Sequence, residues 1–315
     1  MNLPGNPYAS VNTLTRKDLF RKFLEKNGFN VPKSKSFRQC DKAWNWVKGF
    51  DKPVFIKPVD SSGSKGVTKF TKMGANVSEF NRAFEHAFSF SREKKVLIEE
   101  EIIRSSYQIA GDGFLVDGEL VFRCWADEHF DKLCNGLVPI GQTFPTSHSE
   151  TRLAFAHEQT QRLITALGMK TGALNFDLIF DETGKLYFLE LGPRNGGCLI
   201  PEVIHCATGV DLIKYTVDAA LGLPCSDLSM QPTNGFWSSY MVHSIENGTY
   251  NSLYLSDRIK PKIIQKDIWD ATNGEVNFYG GSNDTLGAMI LKFDSSDEME
   301  NLIENMGQDI RVILK

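Results

Sequence analysis

Residues 53–67, Pro-Val-Phe-Ile-Lys-Pro-Val-Asp-Ser-Ser-Gly-Ser-Lys-Gly-Val, restrict the fold more than any other stretch of the chain. An apolar run, Val54-Phe55-Ile56, ends in Lys57, and a Ser/Gly loop follows at once. A strand that delivers a lysine beside such a loop suits an oxyanion. Gly63 and Gly66 let backbone N–H groups turn inward, Ser61, Ser62 and Ser64 add hydroxyl donors, and Lys57 adds a point charge. The loop has neither the Gly-x4-Gly-Lys-Ser/Thr pattern nor Gly-x-Gly-x-x-Gly, so a P-loop and a dinucleotide fingerprint are both set aside. The same residues also read as a β-hairpin, with residues 67–70 as the returning strand.

Three further segments bear on chemistry. Residues 15–27 pattern as an amphipathic helix stopped by Gly28 and Pro32, with Lys17 in its first turn. Val96-Leu97-Ile98-Glu99-Glu100-Glu101-Ile102 is an apolar strand ending in a charged segment. Residues 175–180 read as a strand, Asp181-Glu182-Thr183-Gly184 as a hairpin turn, and residues 186–190 as its return. That hairpin brings Asp177 and Glu190 onto neighbouring strands. Facing carboxylates repel unless a cation sits between them, and hard oxygen ligands suit Mg²⁺. Arg194 follows, a planar and always charged donor suited to phosphoryl oxygens.

In this order the segments resemble the ATP-grasp superfamily, in particular its carboxylate–amine ligases and the proteins similar to carbamoyl-phosphate synthase large subunits and L-amino-acid ligases. The resemblance covers nearly the whole chain. It implies an α+β ATP-grasp fold, two subdomains with antiparallel sheets gripping ATP, followed by a small C-terminal α/β domain. It further implies ATP and Mg²⁺ as cofactors. Lys17, Lys57 and the loop residues Ser61, Ser62, Gly63, Ser64 and Gly66 would meet the nucleotide phosphates. Glu99, Glu100 and Ile102 would meet the adenine, and Gln108 the ribose. Asp177, Glu190 and Asn195 would hold metal, and Arg194 with Lys57 would act on the transferring phosphoryl group. Three positions depart from the family pattern: Arg16 stands where an aspartate is usual, Gln108 where a glutamate is usual, and Gly192 where an asparagine often contacts metal.

The reaction so implied joins a small-molecule carboxylate to an amine through an acyl-phosphate, releasing ADP and phosphate. Alternatives are carbamoyl-phosphate-synthase-like phosphorylation and a non-catalytic ATP-binding subunit. Related ligases carry a Rossmann-like domain before the first lysine helix, whereas few residues precede Lys17 here. A separate Rossmann-like domain or a homo-oligomer is therefore the implied partner.

Composition agrees with an enzyme of this kind. At 315 residues and 41% hydrophobic content the chain can bury a sizeable core. A net charge of −4 gives no basic footprint, so no nucleic-acid partner is expected. The N-terminal stretch has no signal-peptide pattern, no apolar run is long enough for a membrane span, and the six scattered cysteines read as reduced thiols; a cytoplasmic location is expected. Residues 77–90 pattern as a helix with Val77, Phe80, Phe84, Ala87 and Phe88 on a core face. Residues 149–167 form another, closed by Gly168, and residues 201–221 an apolar helical segment. A polar, Pro-containing stretch at 225–234 marks a boundary, and the resemblance implies a further division at the adenine-binding strand, giving expected segments 1–96, 97–224 and 225–315. In the last, a capping pattern at Ser295 opens a helix burying Met299, Leu302, Ile303 and Met306.

Overall fold

The computed structural model describes residues 4–71, 76–269 and 274–315, so Met1 to Leu3 of the N-terminal stretch lie outside the described residues. The chain divides into two compact units. The smaller comprises Val11–Ser106 and Leu178–Glu190; the larger comprises Met1–Ser10, Tyr107–Asp177 and Leu191–Lys315.

The chain opens with α1 (Tyr8–Thr15), followed by α2 (Lys17–Lys26), β1 (Ser34–Phe37), α3 (Cys40–Val47), β2 (Val54–Pro58), β3 (Thr68–Phe70), α4 (Val77–Ser89) and β4 (Val96–Glu100). The four strands form an antiparallel sheet in the order β1-β4-β2-β3. β2 and β3 do pair as a hairpin, Val54 opposite Phe70 and Ile56 opposite Thr68, but the connection between them is the long Ser/Gly loop. Alternation along β2 puts Val54 and Ile56 into the core and leaves Lys57 on the other face. The core beneath is aromatic: Phe37, Phe50, Phe70, Phe80 and Phe84, with Trp44 packed 5.2 Å from Phe80 between ring centroids.

α4 starts where Asn76 caps it. The Glu79 N–H donates to Asn76 Oδ1 at 3.0 Å, and the Asn76 N–H donates to the Glu79 carboxylate at 3.2 Å. Phe80, Phe84 and Ala87 are buried as their spacing predicts, whereas Val77 is exposed because this first-turn position lies beyond the edge of the aromatic cluster.

The chain continues with β5 (Gln108–Val116), β6 (Glu119–Phe130), β7 (Pro139–Phe144), α5 (Glu150–Leu167), β8 (Gly172–Phe180), β9 (Leu186–Gly192), α6 (Ile200–Thr208), α7 (Leu212–Leu221), β10 (Phe236–Val242), β11 (Gly248–Leu255), β12 (Ile263–Ile268), β13 (Glu275–Val276), β14 (Gly287–Phe293), α8 (Ser296–Glu304) and β15 (Ile310–Leu314). An eight-stranded sheet runs β12-β14-β10-β7-β6-β5-β8-β9, and a small sheet runs β13-β11-β15. Side-chain alternation on the large sheet feeds two cores. Trp237 and Ile290 join Phe114, Phe122, Val203 and Ile204 in one, while Tyr240, Val242, Met289 and Leu291 join Met299, Leu302 and Ile303 in the other.

Most helix limits follow local signals. Gly168 closes α5 in the left-handed conformation, and Ser295 caps α8 by accepting from the Glu298 N–H at 3.2 Å. The apolar segment 201–221 is two helices rather than one, because Gly209 ends α6 at φ +79° and Asp211 caps α7 by accepting from the Lys214 N–H at 2.9 Å. Among the described residues no helix is long and apolar enough to cross a membrane.

The aromatic core carries the stability of the smaller unit. Phe80→Ala is expected to cost about 3–5 kcal/mol through lost transfer energy and an unfilled cavity. Denaturant unfolding followed by tryptophan fluorescence, sensitive here because Trp44 packs on Phe80, checks this; an unchanged midpoint contradicts it.

Candidate active site

Glu99 is the centre of the charged face in the smaller unit. It sits on β4 opposite Phe55 of β2, with only 2% of its surface exposed. Its carboxylate accepts from Arg21 Nε at 3.0 Å and pairs with the Lys57 ammonium of β2. Arg21 Nη2 also donates to Glu99 at 3.4 Å, and Nη1 and Nη2 donate to main-chain oxygens of β9, Phe188 at 3.2 Å and Leu189 at 3.1 Å. Burial alone pushes the Glu99 carboxyl up, but Arg21 and Lys57 outweigh it and hold it down at about 2. Burial pushes the Lys57 ammonium below its usual range, with Glu99 opposing that shift.

Lys17 stands at the start of α2, one helical turn before Arg21 and on the same face. Its N–H donates to the Val59 carbonyl at 2.8 Å, which fixes the helix start to the end of β2. Its ammonium reaches the Ser61 carbonyl at 2.6 Å and the Glu190 carboxylate at 2.5 Å. Burial pushes Glu190 up, but Lys17 above all, then Lys57 and Arg21, hold it below its usual range; its side chain stays 40% exposed. Three cations thus face two carboxylates, one positive charge in excess.

The loop between Lys57 and β3 is shaped by left-handed residues, Gly63 at φ +65°, Ser64 at +56° and Gly66 at +73°. A Cβ on Gly66 would meet the Phe90 side chain at 3.0 Å, so that position has a second reason to be glycine. Asp60 anchors the base of the loop by accepting from Ser91 Oγ at 2.7 Å and the Glu93 N–H at 2.9 Å. Sequence reasoning singled out neither Arg21 nor Asp60. The i, i+4 spacing of Lys17 and Arg21 was the available signal for the first, and none was available for the second.

The Glu100 N–H is already given to the Lys33 carbonyl at 3.0 Å, so a ligand contact there must use another atom; Ile102 follows the strand and is half-buried.

Other candidates lie in the larger unit. Gln108 opens β5 and donates to the Glu128 carboxylate, which also accepts from Gln142 at 3.4 Å. Asp112, fully buried on β5, accepts from the Gly196 N–H at 2.7 Å and from Asn175 Nδ2 at 2.9 Å. Burial pushes its pKa up to about 7 against those hydrogen bonds. Asp112 is thereby the anchor of the Arg194 loop, a role its sequence context did not announce. Arg194 is exposed and donates to the Asn195 carbonyl at 2.6 Å. Asn195 donates to Thr216 Oγ1 at 2.9 Å, and among the described residues its buried Oδ1 accepts no hydrogen bond. An unsatisfied amide oxygen is a hard donor and fits a divalent cation. Asp177 belongs to β8 in this unit, and a Cβ at Gly192 would meet only ordinary van der Waals neighbours, Asn175 at 3.5 Å and Arg194 at 3.6 Å.

The smaller unit therefore pre-arranges two lysines from separate elements around a Ser/Gly loop, each lysine held by a carboxylate. Because Glu99 titrates below its unfolded value of 4.5, the unfolded chain takes up this proton first as pH falls. The stabilisation is full above about pH 4.5 and lost as pH falls toward about 2. Unfolding midpoints from pH 6 to 2.5 should fall less steeply in Glu99→Gln than in the parent; parallel curves contradict the buried pair.

Comparisons with known proteins show the family and the fold of the chain. A family model described as carbamoyl-phosphate synthase L chain, ATP binding domain, matches residues 16–228. The carbamoyl phosphate synthase large chain of Thermoanaerobacter sp. (strain X514) is 26% identical over 234 residues, covering 74% of this chain and 21% of that protein. This chain thus spans about a fifth of that relative's length. An L-amino acid ligase from Bacillus licheniformis has a similar structure, with a TM-score of 0.82 at 18% identity over 100% of this chain and 75% of that one. The biotin carboxylase domain dimer of 2-oxoglutarate carboxylase from Hydrogenobacter thermophilus, solved with MgADP, ADP and bicarbonate, gives a TM-score of 0.71 at 16% identity, covering 98% of this chain and 68% of that one.

Proposed function

Since this chain belongs to the family of the carbamoyl-phosphate synthase L chain ATP-binding domain and has the ATP-grasp fold, we propose that it is an ATP-dependent ligase joining a small-molecule carboxylate to an amine. The observation that carries the reading is a Ser/Gly loop that Lys17 reaches at the Ser61 carbonyl and that follows directly on the strand carrying Lys57, all within one compact unit. In this reading the phosphate oxygens of ATP take over the positions that Glu99 and Glu190 occupy around the lysines. The excess positive charge favours that exchange.

The loop residues Ser61, Ser62, Gly63, Ser64 and Gly66 donate to the polyphosphate, and the segment from Glu99 through Glu100 to Ile102 borders the adenine. Gln108 serves the ribose. A substrate carboxylate oxygen attacks the γ-phosphorus and ADP leaves; an amine then attacks the acyl carbon and phosphate leaves, with the amine proton passing to solvent. Arg194 stabilises charge on the transferred group, and the Asp112 contact to Gly196 holds its loop. Asp177, Glu190 and Asn195 would hold Mg²⁺, which would neutralise charge on the phosphates when bound. The same reading places the protein in the cytoplasm and gives it a Rossmann-like domain or a second copy of the chain as partner for acceptor positioning.

The family match favours a second reading, phosphorylation of bicarbonate or carbamate. ADP release screened with amino-acid and sugar-acid substrates, with amines, and separately with bicarbonate decides between them. Release that needs a carboxylate and an amine supports ligation. Bicarbonate-dependent release supports the alternative, and nucleotide binding without release under any condition supports a binding subunit.

Two substitutions give sharper outcomes. Lys57→Ala should weaken ATP binding by about 1.5–3 kcal/mol, the worth of a charge-assisted phosphate contact, read by calorimetry. Glu190→Gln should keep the fold and much of the nucleotide affinity yet abolish ADP release; turnover at the parent rate would make Glu190 an ordinary strand-end carboxylate.

A further inference from the structure

At one end of the large sheet three side chains of different chemistry converge, none of them among the residues assigned above. β6 and β10 both pair antiparallel to β7, so they run parallel to each other and end on the same side. Asp131 is the first residue after β6, Cys134 lies in the loop from β6 to β7, and His243 is the first residue after β10. One carboxylate oxygen, the thiol sulfur and an imidazole nitrogen lie within 4.8 Å of one another. His243 is buried, and Asp131 and Cys134 are partly exposed, which leaves an approach from solvent.

The hydrogen bonds around His243 decide what the group can do. Nδ1 lies 2.8 Å from the Met241 carbonyl, which can only accept, so Nδ1 carries the proton. Nε2 then faces Asp131 Oδ2 at 3.3 Å. In a neutral imidazole with Nδ1 protonated, that nitrogen presents a lone pair to a carboxylate oxygen, a repulsive arrangement unless a cation comes between them or the ring is charged. Donation of the remote ring N–H to a backbone carbonyl is the usual outer support of a metal-ligating histidine. The other Asp131 oxygen is held by the Leu133 N–H at 2.7 Å, which fixes the carboxylate's orientation. The Tyr279 ring packs on the imidazole, 4.7 Å between centroids. The Cys134 thiol makes a long contact, Sγ to the Ser244 carbonyl at 3.9 Å. Both imidazole nitrogens are engaged without it, so the three do not form a thiol–imidazole nucleophile pair.

We propose that Asp131, Cys134 and His243 form a binding site for a zinc-class divalent cation, separate from the nucleotide site. One sulfur, one nitrogen and one oxygen ligand suit Zn²⁺ in tetrahedral geometry with water as the fourth ligand, and soft thiolate argues against Mg²⁺ or Ca²⁺. Binding of the metal would release the Cys134 thiol proton to solvent, so affinity should rise with pH. The site ties together the ends of β6 and β10, 112 residues apart in sequence, and is independent of which reaction the nucleotide site performs.

Co²⁺ titrated into chelator-treated full-length protein, without nucleotide, tests this. The expected result is one equivalent bound with a thiolate-to-cobalt charge-transfer band, displaced by Zn²⁺. The band should vanish in Cys134→Ser and His243→Ala, and Asp131→Asn should weaken binding about tenfold or more. Metal-free melting of each variant checks that it folds. A readout in the parent protein needs no variant: Zn²⁺ should protect Cys134 from alkylation, mapped by mass spectrometry, while exposed Cys206 still reacts. Absence of the band, its survival in Cys134→Ser, or unprotected Cys134 overturns the proposal and leaves Asp131 and His243 as an imidazolium–carboxylate pair.

Discussion

A buried carboxylate, that of Glu99, organises the smaller unit. Taken alone, an ionised glutamate 2% exposed would carry a large desolvation penalty, so it persists only because Arg21 and Lys57 both reach it. Arg21 also donates to the Phe188 and Leu189 carbonyls. The single ion-pair network therefore fixes α2, β2, β4 and β9 relative to one another. Removing the carboxylate would strand two buried cations, and removing Arg21 would leave two β9 carbonyls without their donor. Lys57 differs from Arg21 in that its ammonium has a compact, rotatable set of donors, so it is the member that can change partner while the guanidinium keeps the scaffold in register.

The Ser/Gly loop makes sense only with that scaffold beneath it. β2 and β3 form an ordinary hairpin by register, and an ordinary hairpin would close in a few residues. Here the closure is enlarged, and its shape is set from below: Asp60 holds Ser91 and Glu93, Lys17 holds the Ser61 carbonyl, and Gly66 fits against Phe90 where a side chain would not. The loop is consequently fixed at both ends, while Ser62 and Gly63 remain exposed at its tip.

In the larger unit the polar residues with chemical potential also sit where strands approach closely or end. Asp112 lies in the middle of β5 between two glycines that have no room for a side chain: a Cβ at Gly111 would lie 2.0 Å from the Cys124 carbonyl oxygen, and one at Gly113 would strike the Phe176 ring. That close packing desolvates Asp112, and the Gly196 and Asn175 donors then set how much of it is ionised near neutrality.

Local features were readable in the sequence because their causes are local. The strand ending in Lys57, the turn at residues 181–184, the stop at Gly168 and the cap at Ser295 each depend on neighbours in sequence, so residue type and periodicity reveal them. The buried phenylalanines of α4 were likewise visible, except at Val77, where the helix extends past the core it packs on. Periodicity gives the face of an element but not what lies opposite. It could place Glu99 at the end of a strand, yet not show that Arg21, 78 residues earlier, turns it into the centre of a buried network. Nor could it join Asp131 and His243, which meet because β7 lies between two strands that end on the same side. Those groupings arise from strand order, a long-range property that depends on the packing of whole sheets, and only the tertiary structure decides it.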